Sequence, residues 1–163
     1  MKKPQVAVVM GSHSDIPVMQ EVGGILEEFH IDYKMFILSA HRSPRETMRF
    51  ARTAGHKGFK VIIAGAGRAA HLPGVIASET SLPVIGVPLA AKMFKGIDAF
   101  VSMWQMPRGV PVSVMAAGKS GAVNAGIAAA QILALENKKI RLKLQSYKND
   151  LAKKVKESNK QLL

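Results

Sequence analysis

The 163-residue chain contains no cysteine. That excludes disulfides, thiolate metal sites and a cysteine nucleophile, and it is compatible with a cytoplasmic setting. Aromatic residues make up only 6%, with a single tryptophan. Few rings are therefore available to stack on nucleic-acid bases. No apolar run approaches the roughly 20 residues that span a bilayer. Met1-Lys2-Lys3-Pro4 leads straight into a strand-like run, without the apolar stretch and small-residue cleavage site of a signal peptide. Acids are also sparse, 11 against 23 Lys and Arg, for a net charge of +12. Residues 137–163 carry nine basic and two acidic side chains, so +7 of the excess sits in the tail and the body is only mildly basic.

What is present is globular in character, with 48% hydrophobic and 21% charged residues. The length suits one domain, with a core over about 4–136 and a C-terminal helix over about 138–160. Val6–Met10 is a continuous apolar run and reads as a buried parallel strand. The small polar turn Gly11-Ser12-His13-Ser14-Asp15 follows. Ser14 or Asp15 can cap a helix that runs to about Phe29, with Pro17 tolerated in its first turn. Tyr33–Leu38 is a second strand. Ser43-Pro44-Arg45-Glu46 has the spacing of a capping box, opening a helix to about Gly55–Gly58. Further strands are expected at Lys60–Ala64, Pro83–Val87 and Pro111–Met115. Between them lie a long glycine-rich loop, Gly65–Gly74, and short helices at Val75–Thr80 and Ile97–Met103. Helices over Ser120–Leu135 and Lys138–Ser158 close the chain. Strict alternation of strand and helix implies a three-layer, doubly wound parallel sheet of the flavodoxin or Rossmann kind.

Four stretches could carry chemistry. Gly11 to Asp15 offers backbone N–H groups and Ser12, Ser14 and Asp15 at a helix start. Such a turn either binds phosphate and ribose or simply caps the helix, and the local sequence leaves both readings open. Ser39-Ala40-His41-Arg42 places a proton-handling imidazole beside a guanidinium suited to phosphate. Its other reading is a helix start that happens to carry a histidine. Gly65-Ala66-Gly67-Arg68-Ala69-Ala70 imitates a dinucleotide fingerprint, but that motif belongs after the first strand and needs an acid about 20 residues on. We read it instead as a small-residue loop whose backbone approaches a ligand, with His71 as a second polar group or a loop anchor. Gln105 to Pro111 reads as a rigid loop or subunit contact. No two histidines have metal-ligand spacing on one helix face, so no metal site is expected. In the last helix Ile140, Leu144, Tyr147, Leu151 and Val155 form an apolar stripe with basic flanks. Docking on a neighbouring subunit accounts for that stripe better than a nucleic-acid arm does.

These motifs carry a resemblance. Met10-Gly-Ser-His-Ser-Asp15, Ser39-Ala-His-Arg-Ser-Pro44, Ala64-Gly-Ala-Gly-Arg-Ala-Ala-His-Leu-Pro-Gly74, Leu82-Pro-Val-Ile-Gly-Val-Pro88, Gln105-Met-Pro-Arg-Gly-Val-Pro-Val112 and Asn124-Ala125 occur in this order. In them the chain resembles the class I N5-carboxyaminoimidazole ribonucleotide mutases of purine biosynthesis. The resemblance implies conversion of that nucleotide into 4-carboxyaminoimidazole ribonucleotide by decarboxylation and recarboxylation, with neither cofactor nor metal. It implies His41 as the acid/base and Ser12, Asp15 and Arg42 as substrate-binding residues, with phosphate contacts from Ser14 and Ser39. Ala40, Gly65, Ala66, Gly67, His71 and Leu72 complete the expected binding set, the glycine-rich loop enclosing carbon dioxide. It also implies a homo-octamer with sites at subunit contacts, and a transient handover of substrate from N5-carboxyaminoimidazole ribonucleotide synthetase. Arg68 and Arg108 depart from the family pattern, which has glycine and a small residue there. The alternatives are a class II aminoimidazole ribonucleotide carboxylase, which typically has lysine after the histidine, a non-catalytic nucleotide- or RNA-binding relative, and a flavin binder.

Overall fold

The computed structural model describes residues 3–160 and 162. One five-stranded parallel sheet organises it, with strand order β2-β1-β3-β4-β5. The strands are β1 (Val6–Met10), β2 (Tyr33–Ile37), β3 (Val61–Gly67), β4 (Val84–Leu89) and β5 (Ser113–Val114). The helices are α1 (Ile16–Glu28), α2 (Pro44–Thr53), α3 (Leu72–Glu79), α4 (Ile97–Trp104), α5 (Lys119–Ala134) and α6 (Lys138–Lys160). This is the flavodoxin-like order, in which the connections from β1 and from β2 leave in opposite directions.

The near-continuous apolar runs of β1, β3 and β4 follow from burial on both faces. Val6, Val8, Met10, Val61, Ile63 and Val87 point to one side and pack with α1, α5 and the start of α6. Ala7, Val9, Ile62, Ala64 and Val84 point to the other and pack with α2, α3 and α4. Helix α5 is built of alanine and glycine on its inner face so that it can lie close to α1. A Cβ at Gly126 would collide with the Ile25 side chain.

Several boundaries differ from the expectations, each for a packing reason. The expected loop Gly65–Gly74 is mostly regular structure: β3 runs on to Gly67, and α3 begins at Leu72 with Pro73 in its first turn. Gly65 and Gly67 serve close approach inside the sheet rather than loop freedom. A side chain on Gly65 would strike the Met19 thioether, and a Cβ on Gly67 would lie 2.9 Å from the Leu89 carbonyl oxygen. Strand β4 likewise extends through Pro88 to Leu89, and β5 is reduced to two residues at the sheet edge. The capping box is not formed. Ser43 stands at the N-cap of α2 without a side-chain cap bond, because its hydroxyl turns back to the Ser39 backbone.

Helix α6 divides at its middle. Ile140 and Leu144 are buried, and Tyr147 meets Phe29 edge-to-face at 5.5 Å, all within this chain. Beyond them every residue from Lys148 to Lys160 is exposed, including Leu151 and Val155 of the expected docking stripe. Among the described residues no helix is long and apolar enough to cross a membrane.

Candidate active site

The carboxyl ends of β1, β2 and β3 lie side by side, in register Met10↔Ile37 and Met10↔Gly65. Three connections therefore converge at the point where the chain reverses its winding, which is where open α/β sheets form their ligand crevice.

The connection after β1 is organised by its own hydroxyls. His13–Asp15 forms a single 3-10 turn, and the Ser12 hydroxyl caps it by accepting from Ser14 N at 3.4 Å. The Ser14 hydroxyl donates to Ser12 Oγ at 3.0 Å. Asp15 takes the N-cap position of α1 but makes no side-chain cap bond there. Burial raises its carboxyl above its ordinary pKa, opposed by the Ser12 and Gly11 backbone, the Arg42 charge and the Ser14 hydroxyl.

The connection after β2 is a small hydrogen-bonded knot. Ser39 N donates to Ser43 Oγ at 3.0 Å, and Arg42 N donates to Ser39 Oγ at 3.1 Å. Thr47, the one fully buried polar side chain among the described residues, donates from Oγ1 within reach of the Ser43 and Ser39 carbonyls at 2.9 and 3.2 Å. Ser43 and Thr47 were not among the expected site residues. Their signal was a serine and a threonine four apart on the inner side of an amphipathic helix start. The Arg42 guanidinium then crosses to the first connection, donating to the Gly11 carbonyl at 2.7 Å. Arg42 thus joins two of the three connections and still has donors to spare.

The connection after β3 is short, Arg68 to His71. It delivers His71 to His41: the distance between His41 Nε2 and His71 Nδ1 is 2.8 Å, and the rings meet edge-to-face with centroids 4.9 Å apart. One nitrogen of that pair must carry the hydrogen and the other the lone pair. While the bond holds, the two imidazoles share one proton and His71 fixes the tautomer and ring plane of His41. Both rings are exposed and can meet a ligand.

Of the remaining expected residues, Ala40 packs against the sheet beneath the site. Gly65, Ala66 and Gly67 form the end of β3, and Leu72, the first residue of α3, is buried in the core. The described residues contain no group of three His, Cys, Asp or Glu side chains able to hold a metal ion. His30 stands apart from the site. It ends α1 in the left-handed region (φ 57°), and its imidazole donates to the Glu27 carbonyl at 3.0 Å.

A flavodoxin-like sheet with hydroxyls, a guanidinium and an imidazole pair at its switch point presents hydrogen-bond donors suited to an anion beside side chains of a type that carries protons. The sequence matches the AIR carboxylase family over residues 5–154, and the chain belongs to that family. It is 49% identical over 148 residues to an N5-carboxyaminoimidazole ribonucleotide mutase of Pyrococcus abyssi, covering 91% of this chain and 84% of that one. A Bacillus subtilis protein of the same name is 47% identical, with 99% of each chain covered. The crystal structure of Treponema denticola PurE superposes with a TM-score of 0.87 at 27% identity, over 98% of both chains.

Proposed function

We propose that this chain is an N5-carboxyaminoimidazole ribonucleotide mutase acting through His41. The observation that carries the reading is the His41–His71 hydrogen bond at the switch point, beside the hydroxyl-capped turn after β1. The names of the relatives support the substrate, and Arg42 after the histidine favours the mutase over the carboxylase.

The nucleotide phosphate is held by Ser12, Ser14, Ser39 and the free donors of Arg42, while Asp15 accepts from the ribose hydroxyls. His41 gives a proton to the exocyclic nitrogen as the nitrogen–carbon bond breaks, releasing carbon dioxide and aminoimidazole ribonucleotide. Ring carbon 4 then attacks the trapped carbon dioxide, and His41 takes the proton that carbon 4 loses. The reaction returns the imidazole to its starting state, as a residue that is acid and then base must do. The intermediate is held between the Arg68–His71 connection and the glycine-lined end of β3, in position for recarboxylation.

Octamer formation belongs to the same proposal. Met93, Phe94, Ile97, Phe100, Val101 and Trp104 form an exposed apolar face on and before α4. Single apolar residues at a surface are ordinary, but a contiguous patch of this kind marks a contact. The distal half of α6 adds Leu151 and Val155. We assign both surfaces to copies of this chain, expecting a particle of eight times the 17.5 kDa protomer in sedimentation. The activity named for the relatives supports a cytoplasmic setting, and a handover of the labile substrate from its synthetase belongs to the same reading.

The test is turnover of N5-carboxyaminoimidazole ribonucleotide by the purified protein and by His41→Asn. The parent should form product, and the variant should lose about 10²-fold or more while remaining folded. Turnover surviving in the variant removes His41 from the centre of the mechanism, and none in a folded parent removes the mutase.

A further inference from the structure

We propose that Arg68 is a specificity residue of this site, holding the carboxylate that distinguishes the carboxylated nucleotides from their decarboxylated intermediate. The proposal rests on the mutase reading above.

Among the described residues three non-glycine residues have positive φ: His30, Arg68 and Lys95. Two of them close turns with visible partners. His30 ends α1 with backbone and imidazole bonds to Glu27, and Lys95 N donates to the Ala91 carbonyl. Arg68 (φ 56°) makes no such bond, and its guanidinium has neither ion pair nor hydrogen bond among the described residues. A side chain in the left-handed region costs roughly 1 kcal/mol or more, which a glycine would avoid. What an arginine offers in return at this position is an exposed positive charge.

The position matters. Met10, the last residue of β1, is level with Gly65, and β3 continues two residues further to Gly67. Arg68 therefore stands beyond the end of β1, at the head of the four-residue connection that ends in His71. The substrate brings two anionic groups to this rim, a phosphate and the carboxylate that moves. The hydroxyl-capped turn after β1 suits the phosphate, and Arg42 is tied to that turn through the Gly11 carbonyl. The carboxylate must lie where His41 exchanges its proton. Arg68 is the unengaged cation on the connection that brings His71 to His41.

The charge on the carboxylate vanishes when carbon dioxide forms. A guanidinium there favours substrate and product over aminoimidazole ribonucleotide, strengthening binding of the carboxylated ground states without lowering the barrier to decarboxylation. Removing it should therefore raise KM and leave kcat unchanged or higher.

The experiment is calorimetric binding of 4-carboxyaminoimidazole ribonucleotide and of aminoimidazole ribonucleotide to the parent, Arg68→Gln and Arg68→Lys, beside steady-state kinetics. Arg68→Gln keeps the Cβ and its backbone cost while removing the charge and the guanidinium fork. It should bind the carboxylated nucleotide about tenfold more weakly and the decarboxylated one unchanged, with partial rescue in Arg68→Lys. Unchanged binding of both overturns the inference, because Arg68 then faces solvent. An equal loss for both also overturns it, because the charge then serves the phosphate. A parent that shows the Arg68-dependent difference without turnover leaves the carboxylate role standing and sinks the mutase. A parent that binds neither nucleotide sinks both.

Discussion

The connections after β1 and after β3 leave adjacent parallel strands at the same carboxyl end of the sheet, the first opening on Gly11 and the second following Gly65 and Gly67 at the end of β3. They are built in opposite ways. The first is local: the Ser12 hydroxyl caps the 3-10 turn His13–Asp15 and accepts from the Ser14 hydroxyl, all within five residues. The second has no local cap. His71 makes no side-chain bond to its own helix, and its imidazole is engaged instead with His41, thirty positions away in the chain. The glycines differ too. A Cβ on Gly11 would meet only Asp15 Oδ2, at an ordinary 3.8 Å, whereas Gly65 and Gly67 are held against Met19 and Leu89. A turn whose hydroxyls bond to one another can be read residue by residue. A connection that positions a distant group is defined by what it packs against.

The largest effect expected from this contrast is on catalysis. His71→Ala should lower kcat by about ten- to a hundredfold with the thermal transition retained, because His41 loses the partner that holds its ring. A kcat close to the parent's would show that the second connection does not orient the acid/base. Gly65→Ala should come next, as a stability change. Its methyl group has to displace Met19 within a closed sheet face, and denaturant unfolding should register a loss of about 1–3 kcal/mol.

Asp15→Asn probes the first connection and should act in two directions. The folded carboxyl titrates above 3.8, its ordinary value, mainly because of burial. The folded chain therefore holds that proton more tightly than the unfolded one, and stability falls as pH rises through the raised pKa. The variant, which carries no such charge, should be more stable than the ligand-free parent at neutral pH. The advantage should shrink as pH is lowered and vanish well below 3.8, while nucleotide affinity drops throughout. Unfolding midpoints across that pH range would reveal a gain of the wrong sign. Gly11→Ala should have the smallest effect, within about 0.5 kcal/mol, because its Cβ meets only an ordinary contact. A large loss there would erase the distinction between the two connections.

Periodicity and residue type alone determined the alternation of strands and helices and the parallel sheet. They also located the three polar stretches at strand ends, because a run such as Val6–Met10 can be satisfied only inside a sheet and a run such as Gly11–Asp15 only outside it. The reach of β3 and β4 could not be read that way. Glycine and proline ordinarily signal loops, and at Gly65, Gly67 and Pro88 the requirement came from neighbours distant in the chain. The capping-box spacing at Ser43 and Glu46 was equally misleading, since the Ser43 hydroxyl had a nearer backbone partner at Ser39. His41 was a candidate on its chemistry alone. Its pairing with His71, the tie from Arg42 to Gly11 and the division of α6 into a buried and an exposed half were decided only by tertiary structure. Each joins groups that sequence spacing leaves unrelated, and only the winding of the sheet brings them into contact.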